Sequence, residues 1–152
     1  MDRIRVSIKA MIIEGEKILV TKNHDSWGFF YLLPGGGQNP GETVEAALKR
    51  ECREEIGAEV EVGELLYTRD YIGAHHEFAK WDGDVHQLEL MFSCRLTAGA
   101  EPGNGSEPDT RQVAVEWLDI SDLGPYRLYP AALKEFLARP REQGALYLGD
   151  VN

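Results

Sequence analysis

The sequence predicts a mixed α+β (α/β) fold from three observations: period-two alternation in several segments, one segment with a clear 3.6-residue period, and an order of strands, helix, more strands and a last helix. With 152 residues, 43% hydrophobic and 28% charged, the chain fits one domain over residues 1–152. A chain of that size buries a core without disulfides or metal staples.

Taken in order, residues 3–13 (RIRVSIKAMII) alternate and place Ile4, Val6, Ile8 and Ala10 on one side of a strand. Glu14-Gly15-Glu16 turns the chain, and Lys17–Lys22 returns as a second strand. Residues 32–41 (LLPGGGQNPG) read as a glycine-rich loop without regular structure. Thr43 offers an N-cap to a helix over 44–56, which Gly57 closes at the C′ position. Val60–Tyr71 and Val85–Leu96 read as strands joined by a polar and aromatic connection, GAHHEFAKWDGD. Residues 97–110 read as a mobile surface loop, Arg111–Asp119 as a strand, and Pro130–Ala138 as a helix with proline in its first turn.

The formal net charge of −10 argues against a broad basic surface, so neither nucleic acid nor an anionic membrane is an expected partner. Phosphates remain within reach of an acidic protein when divalent cations sit between them. Cys52 and Cys94 lie in apolar settings and read as reduced, half-buried packing residues. The first ten residues lack the apolar core of a signal peptide, and no apolar run approaches membrane-spanning length, so the cytoplasm is the expected location.

The helix carries the chemistry. At 100° per residue, Val44, Ala47, Leu48 and Cys52 form the stripe that should dock on a sheet. Glu51 and Glu55 project into that stripe and Glu54 sits at its edge, all within an arc of about 100°. Carboxylates buried beside a core cost on the order of several kcal/mol each unless a counter-charge meets them. Arg50 reaches Glu54 at i,i+4, but one guanidinium cannot neutralise three acids. A hard divalent cation can, because oxygen ligands suit Mg²⁺ or Mn²⁺. A solvated acidic face laced by salt bridges is the competing reading. The run Leu33-Pro34-Gly35-Gly36-Gly37 at fixed spacing before the helix tips the balance, since its backbone can approach a ligand closely.

From Gly36 to Ala58 the chain reads G-x5-E-x7-R-E-C-R-E-E-I-G-A. This resembles the signature of the Nudix (MutT-like) hydrolases, G-x5-E-x7-R-E-U-x-E-E-x-G-U, where U is a bulky apolar residue. Gly36, Glu42, Arg50, Glu51, Glu54, Glu55 and Gly57 all match, while Cys52 and Ala58 are smaller than usual. The resemblance implies an αβα sandwich on a mixed sheet, and hydrolysis of a nucleoside diphosphate linked to another group or of a (d)NTP. It also implies Glu51, Glu54 and Glu55 as metal ligands with the Gly36 carbonyl, Glu42 near a further metal through water, and Arg50 orienting the glutamates.

The expected chemistry is attack of metal-activated water on a pyrophosphate bridge. Its general base is open among the box glutamates and later carboxylates. Glu89 is a candidate, sharing strand parity with Gln87 and Met91, beside a reading as a solvent-facing strand residue; Glu77 and Asp109 are weaker ones. Substrate recognition is assigned to the connection bearing His75, His76, Phe78 and Trp81, where a base can stack and histidine can donate to phosphate. Trp27, Phe29, Phe30 and Tyr31 read equally as core or pocket, and His24 and His86 receive no role. Ala74 stands where several ADP-ribose-type members carry a proline, and the marks of coenzyme A and NADH pyrophosphatases are missing. A non-catalytic nucleotide-sensing module is the rival, disfavoured by the intact box. Family members are often homodimers, but no feature of this sequence marks an interface.

Overall fold

A computed structural model of the protein describes residues 3–139 and 144–152. Among them run β1 (Arg5–Glu14), β2 (Lys17–Asp25), β3 (Gly28–Leu32), β4 (Gly35–Gly37), α1 (Val44–Ile56), β5 (Val60–Ile72), α2 (Ala79–Asp82), β6 (His86–Leu96), β7 (Gln112–Asp119), β8 (Leu128–Tyr129), α3 (Leu133–Leu137) and β9 (Leu146–Asp150). The sheet is mixed, in the order β8-β3-β2-β1-β6-β5-β9, with β4 paired to β1 and β7 to β2. Parallel pairing joins β1 to β6, β3 to β8 and β5 to β9; the other pairs are antiparallel. Among the described residues no helix is long and apolar enough to cross a membrane.

Alternation sorts each central strand between two cores. Ile8, Ala10 and Ile12 of β1 face α1, burying Ala47, Leu48, Cys52 and Ile56. Met11 points the other way, joining Ile18, Val20, Met91 and Leu133 on the side of α3, where Phe136 and Leu137 pack. Helix, sheet and helix therefore form the expected layers. Cys52 and Cys94 are free, and both are buried rather than half-buried.

Three expectations change. The glycines at 35–37 form a strand instead of an irregular loop, in register with Ser7–Lys9 of β1. The segment 97–110 is not a free surface loop: its middle is tied to α1, as described below. The last helix starts at Leu133 rather than Pro130, because Leu133, Lys134 and Glu135 donate to the carbonyls three residues back, closing turns tighter than an α-helix. Short β3, β8 and β9 had no period-two signal strong enough to read.

Candidate active site

Helix α1 begins as its sequence dictates, with the Thr43 hydroxyl accepting from Ala46 N–H at 3.1 Å. It ends on Gly57 in the left-handed conformation. Its last-turn carbonyls are taken up by the segment after β6. Gly103, Gly105 and Glu107 N–H donate to Ile56, Glu55 and Glu54 O at 3.0, 3.1 and 2.9 Å. Gln112 Nε2 adds a bond to Glu55 O at 2.8 Å. A Cβ at Gly105 would collide with Glu54 O, so glycine is what lets this strap lie against the helix end. The turn bearing Glu54 and Glu55 is thus held from behind.

Arg50 is the hub of the box. Its Nε donates to Glu42 at 3.0 and 3.2 Å, Nη1 to Glu51 at 3.0 Å and to Glu54 at 3.3 Å, and Nη2 to the Gly37 carbonyl at 3.0 Å. Desolvation pulls the guanidinium down, but bonds to Glu42 and Glu51 more than reverse this and hold it protonated. Glu51 lies against β4 so closely that a Cβ on Gly36 would sit 2.7 Å from its carboxylate. Glu55 is 9% exposed, and its Oε2 accepts from Gly35 N–H at 3.4 Å. Burial pushes its carboxyl up to about 7; Lys9 opposes this and Glu51 reinforces it. Lys9 Nζ itself donates to Gly35 O at 3.0 Å.

The docking stripe read from sequence is therefore correct for Ala47, Leu48, Cys52 and Glu55, which are buried, whereas Glu51 and Glu54 stand at its rim. Among the described residues no group of three acidic, histidine or cysteine side chains is gathered in ligating geometry. Arg50 instead binds Glu42, Glu51 and Glu54 and leaves Glu55 without a direct ion pair. A divalent cation fits these residues nonetheless. The donors are hard oxygens, the glycine strand leaves side-chain-free space beside Glu51, and burial raises the Glu55 carboxyl to about 7, a cost that a nearby cation would offset.

Beside the box opens a cavity of about 730 Å³. Gly35, Gly36, Lys9 and Asp109 line the end nearest the box, and Ser7, Arg5, Gln87 and Glu89 its floor. Glu89 has the parity expected, but it is buried rather than solvent-facing and is bound by Arg69 Nε at 3.1 Å. The far end is aromatic. Trp27 and Phe78 stack at 5.9 Å, Trp81 meets Trp27 edge-on at 5.2 Å, and Tyr129 meets Phe78 at 5.3 Å. Trp27 and Trp81 are 59% and 60% exposed, so their faces are open to a ligand.

Of the residues proposed from sequence for substrate binding, Phe78, Trp81 and Glu89 line the cavity, whereas His76 does not. Its Nε2 lies 2.7 Å from Asp150 Oδ1 while His75 Nδ1 lies 2.7 Å from Asp150 Oδ2. Glu77 faces outward and accepts from Asn152. Sequence reasoning missed Arg127, whose guanidinium is clamped by Asp25 at 2.9 and 3.1 Å and packs near Trp27, Phe30 and Tyr129. Little local to 127 announces this, because Asp25, Trp27 and Phe30 lie about a hundred residues earlier, on β2, the turn after it and β3.

A family model described as NUDIX domain matches residues 3–139. The nucleoside triphosphatase NudI of Salmonella agona (strain SL483) is 30% identical over 140 residues, covering 89% of this chain and 99% of that protein. A nudix hydrolase of Caenorhabditis elegans is 31% identical over 108 residues; the match takes in 71% of this chain but only 26% of that longer protein. The crystal structure of MutT NUDIX hydrolase from Burkholderia pseudomallei shares the fold with a TM-score of 0.70 and 26% identity, over 91% of this chain and 100% of that one.

Proposed function

The chain belongs to the Nudix hydrolase family, and from that premise we propose that it hydrolyses a phosphoanhydride bond of a nucleoside triphosphate or a related nucleoside diphosphate derivative, with Mg²⁺ or Mn²⁺ held by Glu51, Glu54 and Glu55. The single observation that carries the metal is the charge balance of the box. Glu42, Glu51 and Glu54 share Arg50, while Glu55 has no ion pair among the described residues, and burial, reinforced by the neighbouring Glu51, raises its pKa. The likeness to a nucleoside triphosphatase along almost its full length supports a triphosphate as substrate.

Bound at the box, a divalent cation supplies Lewis acidity, neutralising charge on phosphoryl oxygens and lowering the pKa of water. The remaining work falls to the chain. Arg50 binds Glu51 and Glu54 together through Nη1 and so orients them, and the Gly36 carbonyl would add a further oxygen ligand. Arg5 and Lys9, both lining the cavity, offer positive charge to the phosphates. Glu89 is committed to Arg69, which leaves Asp109 and the box glutamates as the carboxylates placed to take a proton from water. The aromatic end, with Trp27, Phe78 and Trp81, receives the base by stacking.

A panel of nucleoside triphosphates and nucleoside diphosphate derivatives, assayed with Mg²⁺ and with Mn²⁺ for release of phosphate, pyrophosphate or nucleoside monophosphate, tests this reading. Cation-dependent release from at least one nucleotide is expected. Turnover that persists in excess chelator would reject the metal role, and no turnover of any nucleotide would favour a sensing module.

A further inference from the structure

Strand β9 lies beyond the region matched by the family model, which ends at residue 139. It pairs in parallel with the outer edge of β5, and Tyr147, Asp150 and Asn152 add side-chain hydrogen bonds. Asp150 Oδ1 accepts from Ile72 N–H at 3.0 Å, and its two oxygens bind His76 and His75. Partial burial would raise its pKa, but the bonds from His76, Ile72 and His75 prevail and keep it ionised. Arg69 Nη1 donates to Val151 O at 2.6 Å, and Asn152 Nδ2 donates to Glu77 at 3.2 Å. Upstream, Tyr147 donates to Asp70, which also holds His86 at 2.8 Å.

These bonds converge on the connection between β5 and β6. That segment closes its own neck, with Gly73 N–H bound to Val85 O at 2.9 Å and Tyr71 hydroxyl to Asp82 at 2.7 Å. Beyond the neck, its side-chain hydrogen bonds among the described residues run to Asp150 and Asn152. The opposite side of the same connection presents Phe78 and Trp81 to the cavity. A loop anchored on one side only by ring contacts would sample many positions, and each would spoil the stacking surface.

We propose that residues 146–152 form a clasp for the aromatic wall, with Asp150 the positioning residue that holds the 73–85 connection, and through it Phe78 and Trp81, against Trp27 and Tyr129. The inference rests on the reading of the aromatic end as the nucleobase site. Asp150 does not line the cavity; it acts through His75, His76 and the Ile72 amide.

The test is a double-mutant cycle in the full chain, with Asp150→Ala, Trp81→Ala and the pair, using the nucleoside triphosphate turned over fastest under saturating Mg²⁺. Asp150→Ala is expected to raise KM about fivefold or more while kcat stays within about twofold, because a displaced wall weakens binding without touching the reacting atoms. The rise in the double variant should fall short of the product of the two single effects, since the clasp acts through a wall of which Trp81 is one part. A purely structural strand would lower the melting temperature and either leave KM unchanged or multiply the two effects, and either result overturns the clasp. Asp150→Asn keeps an acceptor for Ile72 N–H and carries the same cycle if the alanine variant fails to fold. An unchanged KM in Trp81→Ala would instead reject the aromatic end as the base site, so the two failures are told apart.

Discussion

In the box beside the cavity, Arg50 is divided among Glu42, Glu51 and Glu54, while Glu55 stays buried and half-protonated near neutrality. At the aromatic end each carboxylate has its own partners: Asp25 with Arg127, Asp82 with Tyr71, Asp150 with His75 and His76. One end is short of positive charge and the other is satisfied. The contrast separates two jobs. An under-compensated cluster is unstable as it stands and gains from a divalent cation, whereas a satisfied network holds flat surfaces in place for a ligand that stacks.

The largest effect should come from removing one acid of the charge-poor end. Glu54→Gln is expected to lower kcat by about 10²-fold or more, since a cation's contribution to phosphoryl transfer is worth several kcal/mol. The metal-free melting temperature should hold or rise as repulsion is relieved. A near-normal rate would remove Glu54 from the site.

The next effect concerns pH. The Glu55 carboxyl sits at about 7 in the folded protein against an ordinary value of 4.5. A raised folded value means that stability is fully present below about 4.5 and is lost as pH climbs to about 7. The loss is roughly 3 kcal/mol over that window. Urea unfolding in chelator at pH 5 and pH 8 measures it, with Glu55→Gln as the variant that should abolish the difference. Added Mg²⁺ should restore the stability at pH 8. Stability that increases with pH in the parent, by more than in the variant, would contradict the burial argument.

At the satisfied end, Trp81→Ala should raise KM by roughly tenfold with little change in kcat, because stacking of a base on an aromatic face contributes about 1–3 kcal/mol. Equal losses in kcat would place Trp81 in the chemistry rather than in binding. The smallest effect is a control outside both ends. Arg95 binds Glu61 at the surface, and Arg95→Ala should leave rate and melting temperature alone, as exposed ion pairs contribute little. A measurable loss of activity there would mean that the comparison omits a region that matters.

What could be read from the sequence follows the same division. The acidic end was legible because its parts are local: Gly36 to Gly57 span one short strand, one turn and one helix, and helical periodicity alone puts Glu51, Glu54 and Glu55 on one arc. Strand parity likewise foretold that Glu89 shares a face with Gln87. It could not tell that Arg69, twenty residues earlier, would meet it in a buried pair. The segment 97–110 looked free because glycine and polar residues mark loops, yet Gly105 lets it press onto the carbonyls of α1.

By itself, then, the sequence determined the family, the layered α+β architecture and the acidic helix, since each depends on spacings within a single element or its immediate neighbour. Only the tertiary structure decided how the aromatic end is assembled. Trp27, Phe78, Arg127 and Asp150 come from widely separated segments, and what joins them is strand pairing: β2 with β3, β3 with β8 and β5 with β9. Contacts of that kind depend on which edges meet across the sheet, and no local period records them.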